Sequence, residues 1–305
     1  MLKQHVTRRA FVFGSAATLL AARVRGQTGA LTAQQVVDRI KAGVGVPWRA
    51  NTVDGIKAGD PATVVTGIAT TAMATLEVLR KAAAAHQNFV VTEEPVFYSA
   101  NDAAGDKAND PVYLAKKRFI DDQRLVVYRF SDHWMARKPS ISASAIASML
   151  GVTNGRQVYS LPSSAASPPD WDLLDIHDVP ETTLGALAQT VRAKLGLRGG
   201  MRLVGSPTLR VRKVFICPEG TTLAAAVKNL PRADVIIAGE PREWEAIPYT
   251  LDTNQTASPK GMIYLGRVVS EGPGMQACAT WIKSIVPNVP VEAIAVVDPY
   301  WSPLS

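Results

Sequence analysis

The stretch Phe89-Val90-Val91-Thr92-Glu93-Glu94-Pro95 reads as a buried strand that ends on two carboxylates. Apolar and β-branched residues in a row, stopped by a proline, are the pattern of a strand covered on both faces. In open α/β sheets ligands bind just beyond the carboxyl ends of the strands, so Glu93 and Glu94 belong at the rim of an expected site. Adjacent carboxylates repel unless a cation, a proton or a basic side chain lies between them. On a plain surface turn they are simply solvated, and that reading stands beside the functional one.

Working outward, the same strand-then-charge pattern recurs. Val64–Ala69 is a predicted strand and Thr71–Ala85 a predicted helix, which with the 89–92 strand makes a βαβ unit. Leu125–Phe130 is followed by Ser131-Asp132-His133-Trp134, and Val235–Ala238 by Gly239-Glu240-Pro241 with Glu243 behind it. Met262–Leu265 is followed by Gly266-Arg267 and then Glu271. If these strands are neighbours in one parallel sheet, Glu93, Glu94, Asp132, His133, Glu240, Glu243, Arg267 and Glu271 ring one crevice. Oxygen-rich clusters with a single imidazole suit Mn²⁺, Fe²⁺, Mg²⁺ or Ca²⁺ better than a thiolate-loving metal. Each member also has a structural role to weigh. Glu240 and Glu243 suit the first turn of a helix opened by Pro241, Asp132-His133 suits a hydrogen-bonded pair, and Glu271 suits a helix dipole.

Thr32 caps a predicted helix over 33–41, and the glycine-rich 43–59 segment reads as loops anchored by Trp48. The polar 99–110 loop leads to a helix over 111–122, and a helix over 140–150 stops at Gly151. Residues 152–232 change texture, with a Ser/Pro/Ala linker at 160–170, a helix at 183–195, strands at 203–204 and 209–216, and a helix at 222–229. Met275, Cys278, Ile282 and Ile285 repeat at helical spacing after Glu271, and Val291–Val297 closes the sheet. The expected organisation is a leader over 1–29, a main α/β domain from 30–151 and 233–305, and a smaller inserted domain over 152–232.

Composition fits a globular protein: 47% hydrophobic and 19% charged among 305 residues. The formal charge of +7 is concentrated in Lys3, Arg8, Arg9, Arg23 and Arg25, without an acid among the first 26 residues. The remainder carries 28 basic against 26 acidic groups, which gives no electrostatic case for nucleic acid. Thr7-Arg8-Arg9-Ala10-Phe11-Val12, followed by a short apolar run to Ala22, resembles a twin-arginine export signal. The run is too short for a membrane span, so a periplasmic or exported protein with no stable membrane anchor after cleavage is expected. Cys217 and Cys278 sit in apolar segments and are expected as buried thiols.

At these motifs the chain resembles the Nif-three-like family, also known as GTP cyclohydrolase type 2-like or dinuclear metal-centre proteins. Members carry His-His-Pro or His-Glu-Pro where this chain has Glu93-Glu94-Pro95. A divergent branch carries Asp-His-Trp-His, matched by Asp132-His133-Trp134-Met135, and the family's Gly-Glu turn is matched by Ala238-Gly239-Glu240. Gly-His-x-x-Ser-Glu is matched by Gly266-Arg267-Val268-Val269-Ser270-Glu271. Three family histidines are thus Glu93, Met135 and Arg267 here. The resemblance implies a mostly parallel sheet flanked by helices, a toroidal homo-oligomer such as a hexamer, and one or two divalent ions (Mn, Fe, Mg or Zn), the second opposed by Arg267.

Two functions follow as expectations. In the first, a metal held by Glu94, Asp132, His133 and Glu271 activates water for a hydrolase of small substrates. Glu93 or Glu243 then takes the proton, Arg267 holds an anionic substrate, and Glu240 and Trp134 stand behind the ligands. In the second, the protein is a non-catalytic periplasmic binder of metal or small ligand, or a relict whose metal site is lost. Arg267 is expected to pair with Glu93 or Glu94 in the space of the second cation.

Overall fold

The structure, a computed structural model, describes residues 30–152, 155–158, 174–256 and 258–301. The leader with Arg8 and Arg9 and the 160–170 linker lie outside these residues. The first part of the chain forms α1 (Ala33–Gly43), β1 (Gly55–Ala58), β2 (Ile68–Thr71), α2 (Leu76–Ala84), β3 (Phe89–Thr92), α3 (Pro111–Asp122), β4 (Val126–Arg129), α4 (Asp132–Met135) and α5 (Ile141–Leu150). The second part forms β5 (Gly155–Val158), β6 (Leu174–Thr183), α6 (Leu184–Leu195), β7 (Arg202–Val204), β8 (Arg210–Cys217), α7 (Leu223–Asn229), β9 (Val235–Ala238) and α8 (Ala246–Thr253). β10 (Gly261–Tyr264), α9 (Arg267–Ile285) and β11 (Val291–Ala293) complete it.

The molecule is mixed α/β, with two sheets. One has the order β1-β4-β3-β2-β11, parallel except for β1, and the other the order β5-β6-β8-β9-β10-β7, with β8, β9 and β10 parallel. All residues of β2, β3, β4, β9 and β10 are buried, as continuous apolar and β-branched runs require. Strands 235–238 and 261–264 therefore do not share a sheet with 89–92 and 126–129, which corrects the single-sheet expectation. The position 232/233 also falls between two paired strands, β8 and β9, of one sheet. Strands covered on both faces look alike in sequence, and nothing local says which sheet receives them.

Side chains at the helix ends explain where most helices start. Thr32 and Gln35 form a reciprocal capping box on α1, Asp110 accepts from the N–H groups of Val112 and Tyr113, and Ser140 caps α5. Thr75 caps α2, so that helix starts later than Thr71. The expected helix at Pro241 begins instead at Ala246, and α9 begins at Arg267 rather than Glu271.

α1 and α9 cover one face of the first sheet, where Val36, Ile40, Cys278 and Ile282 meet Phe89, Val91 and Tyr128. Leu79 and Ile120, from α2 and α3, cover its other face against Val90 and Val127. The joint between the sheets is the contact of α5 with α9. A Cβ on Gly274 would sit 3.1 Å from the Ser142 Cα and closer still to its hydroxyl, so only glycine lets the helices approach this way. No disulfide forms: Cys278 is fully buried, and the Cys217 thiol donates to the Gly220 carbonyl.

Candidate functional site

The C-terminal ends of strands from both sheets meet at the joint, and the charged residues there form two groups. The first is a hydrogen-bonded knot around His133. Asp54, just before β1, accepts from the backbone N–H groups of Ser131, Asp132 and His133 at 2.6, 2.9 and 2.9 Å and so caps α4. His133 Nδ1 donates to Asp54 Oδ2 at 2.7 Å, and its Nε2 accepts from the Arg49 N–H at 2.9 Å. Trp48 stacks on the imidazole, with ring centroids 3.7 Å apart and planes at 5°. Asp132 Oδ2 accepts from the Thr52 hydroxyl at 2.8 Å and the Val53 N–H at 3.1 Å, with the Arg49 guanidinium at 3.5 Å. Both residues thus fasten the 48–54 loop to the end of β4.

The second group is a carboxylate–guanidinium cluster. The Glu93 and Glu94 N–H groups donate to the Thr71 and Ala72 carbonyls, extending the ladder of β2 and β3 past its end. Arg267, the first residue of α9, enters from the second sheet. Its Nε lies 2.9 Å from Glu240 Oε1, and its Nη1 lies 3.1 Å from Glu271 Oε1 and also contacts Glu94 Oε1. The expected pairing of Arg267 with the Glu93-Glu94 turn is therefore made through Glu94. Ser270 Oγ donates to the Pro218 carbonyl at 2.6 Å, which holds the 218–220 turn against α9 and brings Glu219 beside the cluster. Gly239 is obligatory there, because a Cβ would collide with that same carbonyl.

The turn after Glu94 is itself braced. Asp102 accepts from the Val96 and Phe97 N–H groups and binds Arg129, while Lys116 Nζ donates to the Val96 carbonyl at 2.5 Å. Burial lowers the Lys116 amine to about 8, partly opposed by Asp102.

Glu93 and Glu271 are almost wholly buried, at 1% and 0% exposure. Both Glu93 oxygens and Glu271 Oε2 have no hydrogen-bond partner. Burial pushes Glu93 well above the usual carboxylate range, reinforced by Glu219 and Glu94. Burial likewise raises Glu271, with Glu93 and Glu94 adding to it, and raises Glu219. Arg267 shifts the other way: burial alone would lower it, but Glu94, Glu271 and Glu240 outweigh that and hold the guanidinium charged.

Several expected roles do not survive this geometry. Glu243 is exposed and pairs with Arg202, so it is not a base at the cluster. Trp134 packs among Phe130 and Trp281 in the core. Arg267 spends its Nε and Nη1 on three carboxylates, where an anionic substrate was expected. Glu219 and Asp54 were missed. Glu219 obeys the strand-end rule for β8, but it lay in the segment assigned to an inserted domain. Asp54 sits in a glycine-rich loop 79 residues from His133, with no local signal.

The family model described as Duf34/NIF3 (NGG1p interacting factor 3) matches residues 47–298. The chain belongs to this family. Its fold is shared by the Staphylococcus aureus hypothetical protein SA1388, at TM-score 0.72 and 17% identity over 90% of this chain and 100% of that one. A Bacillus cereus protein related to NIF3 matches at TM-score 0.69 and 14% identity, over 90% and 100% of the two chains. Reduced HcgD from Methanocaldococcus jannaschii matches at 0.62 and 13%, over 87% and 98%. No curated protein matches the chain in sequence.

The two-metal centre implied by the family does not fit the donors present. Both His133 ring nitrogens and the outer Asp132 oxygen are committed to the 48–54 loop. Glu94 and Glu271 are bridged by a guanidinium where a cation would stand. Among the described residues no three His, Cys, Asp or Glu side chains converge as a ligand set.

Proposed function

We propose that this protein is a metal-independent, ligand-binding member of the family, exported and homo-oligomeric, whose site is charge-balanced from within by Arg267. One observation carries the reading: a single guanidinium bridges Glu94, Glu240 and Glu271, which come from both sheets. A guanidinium makes directed bonds to several carboxylates at once and cannot be titrated away, so it keeps an acidic crevice together without a metal. The hydrolase expected from sequence needs a metal-bound water, and its proposed ligands Asp132 and His133 serve the loop instead. No turnover is assigned.

The test is metal analysis of purified, chelator-free protein together with melting in EDTA. The expected result is no stoichiometric metal and an unchanged Tm. A tightly held ion whose removal lowers the Tm would refute the proposal, because a ligand of the folded state must add stability. The double variant Glu93→His with Arg267→His should raise metal capacity.

A further inference from the structure

α5 and α9 approach each other at Ser142 and Gly274. Past that contact their side chains are small, as at Ala145, Gly272 and Ala277, and a cleft of about 820 Å³ opens between them and the 293–298 segment. That volume is within the range of small-molecule sites. A Cβ added at Gly272 would meet nothing within 4 Å. None of the residues of the carboxylate cluster lines this cleft, so its own walls decide what it holds.

Met149, Met275 and Val297 make the walls largely apolar, and Met149 and Val297 remain 43% and 46% exposed. Apolar side chains of that size left open around a cleft mark a surface that a ligand covers. No aromatic ring lines the cleft among the described residues, and methionine adapts readily to a chain of methylenes.

The polar lining divides into spent and free groups. The Thr70, Thr71 and Thr280 hydroxyls donate to the carbonyls of Met275, Met73 and Gln276. Asp298, the one acid in the lining, accepts from the N–H groups of Arg198, Gly199 and Tyr300. These bonds fix the turn after α6, where Gly199 packs so closely that a Cβ would sit 2.5 Å from the Tyr300 backbone. Arg198, the one cation in the lining, stands on this turn. Its guanidinium has no ion pair or hydrogen bond among the described residues.

We infer that the cleft binds an aliphatic monocarboxylic acid, its carboxylate on Arg198 and its chain along Met149, Met275 and Val297. A guanidinium without a counter-charge takes a carboxylate through two parallel N–H bonds. A cationic ligand would compete with three backbone donors for Asp298, and a neutral one would leave Arg198 without a role. The inference goes beyond the metal-free reading of the Arg267 cluster, and either can fail without the other.

The probe is octanoate, followed by calorimetry on the full folded chain, with 1-octanol, octylamine and acetate as counterparts. Octanoate should bind saturably at one per chain, and the other three far more weakly. Arg198→Gln should weaken octanoate about tenfold, the loss expected for one charged hydrogen-bond partner, and leave 1-octanol unchanged. Met149→Glu puts a negative charge on the wall at a half-exposed helix position and should also weaken octanoate, with the Tm of both variants close to wild type. Failure of octanoate to bind, equal binding of 1-octanol or acetate, or wild-type affinity in both variants would overturn the inference. Preference for octylamine would overturn it too, because the cleft would then answer to Asp298.

Discussion

Replacing Arg267 with alanine removes the guanidinium that bridges carboxylates at the ends of both sheets. At an effective dielectric near 20, a pair of unit charges about 3 Å apart interacts by on the order of 5 kcal/mol before desolvation is counted. The Glu240 partner contributes little, because its side chain is 56% exposed and water screens it. Glu271 is fully buried and Glu94 is 18% exposed, so these two carry the effect. Breaking a buried pair costs about 3–5 kcal/mol, and the 28% exposure of Arg267 puts this case at the low end, about 3 kcal/mol. The sign with pH is fixed by linkage. Arg267 lowers Glu93, Glu271 and Glu219 against the burial that raises them. Without it these carboxyls rise further, so the folded variant holds protons that the unfolded chain has released. Its stability then falls as pH climbs through that window. Urea unfolding of wild type and Arg267→Ala should therefore show a larger gap at about pH 8 than at about pH 5, with Arg267→Lys in between. A gap that is small at both pH values, or the same at both, would refute the argument.

Lys116 titrates about 8 when folded and near 10.5 when unfolded, so the folded state binds fewer protons between those values and gains stability as pH rises through them. Lys116→Met should abolish that rise, worth about 3 kcal/mol, in unfolding curves recorded across the window. Asp54→Ala strips three backbone donors and the His133 ring of their acceptor, and should cost about 3 kcal/mol or more in chemical denaturation. Loss of the Trp48 stack should then show as a change in tryptophan fluorescence. For export, changing both Arg8 and Arg9 to Lys should leave the precursor in the cytoplasm with its fold intact. Fractionation that finds the double variant still exported would remove the twin-arginine assignment.

Much of this protein was legible from local pattern alone. The Phe89–Thr92 run is a fully buried strand, Thr32 and Asp110 do cap helices, and the pairing expected of Arg267 with Glu93 or Glu94 is made with Glu94. These features depend on neighbours in sequence or on charge balance, which a residue string records directly. What only the tertiary structure decided is which sheet each strand joins and which partner each polar group finds. β9 and β10 read like β3 and β4 because all are covered on both faces, yet they pair with β8 and β7 in another sheet. Asp132 and His133 read as ligands until Asp54, Thr52 and Arg49, contributed by a loop about 80 residues earlier, took their lone pairs and proton. A hydrogen bond depends on distance and angle in space, and the chain's return path is set by packing of the whole core, so no window of sequence contains that information.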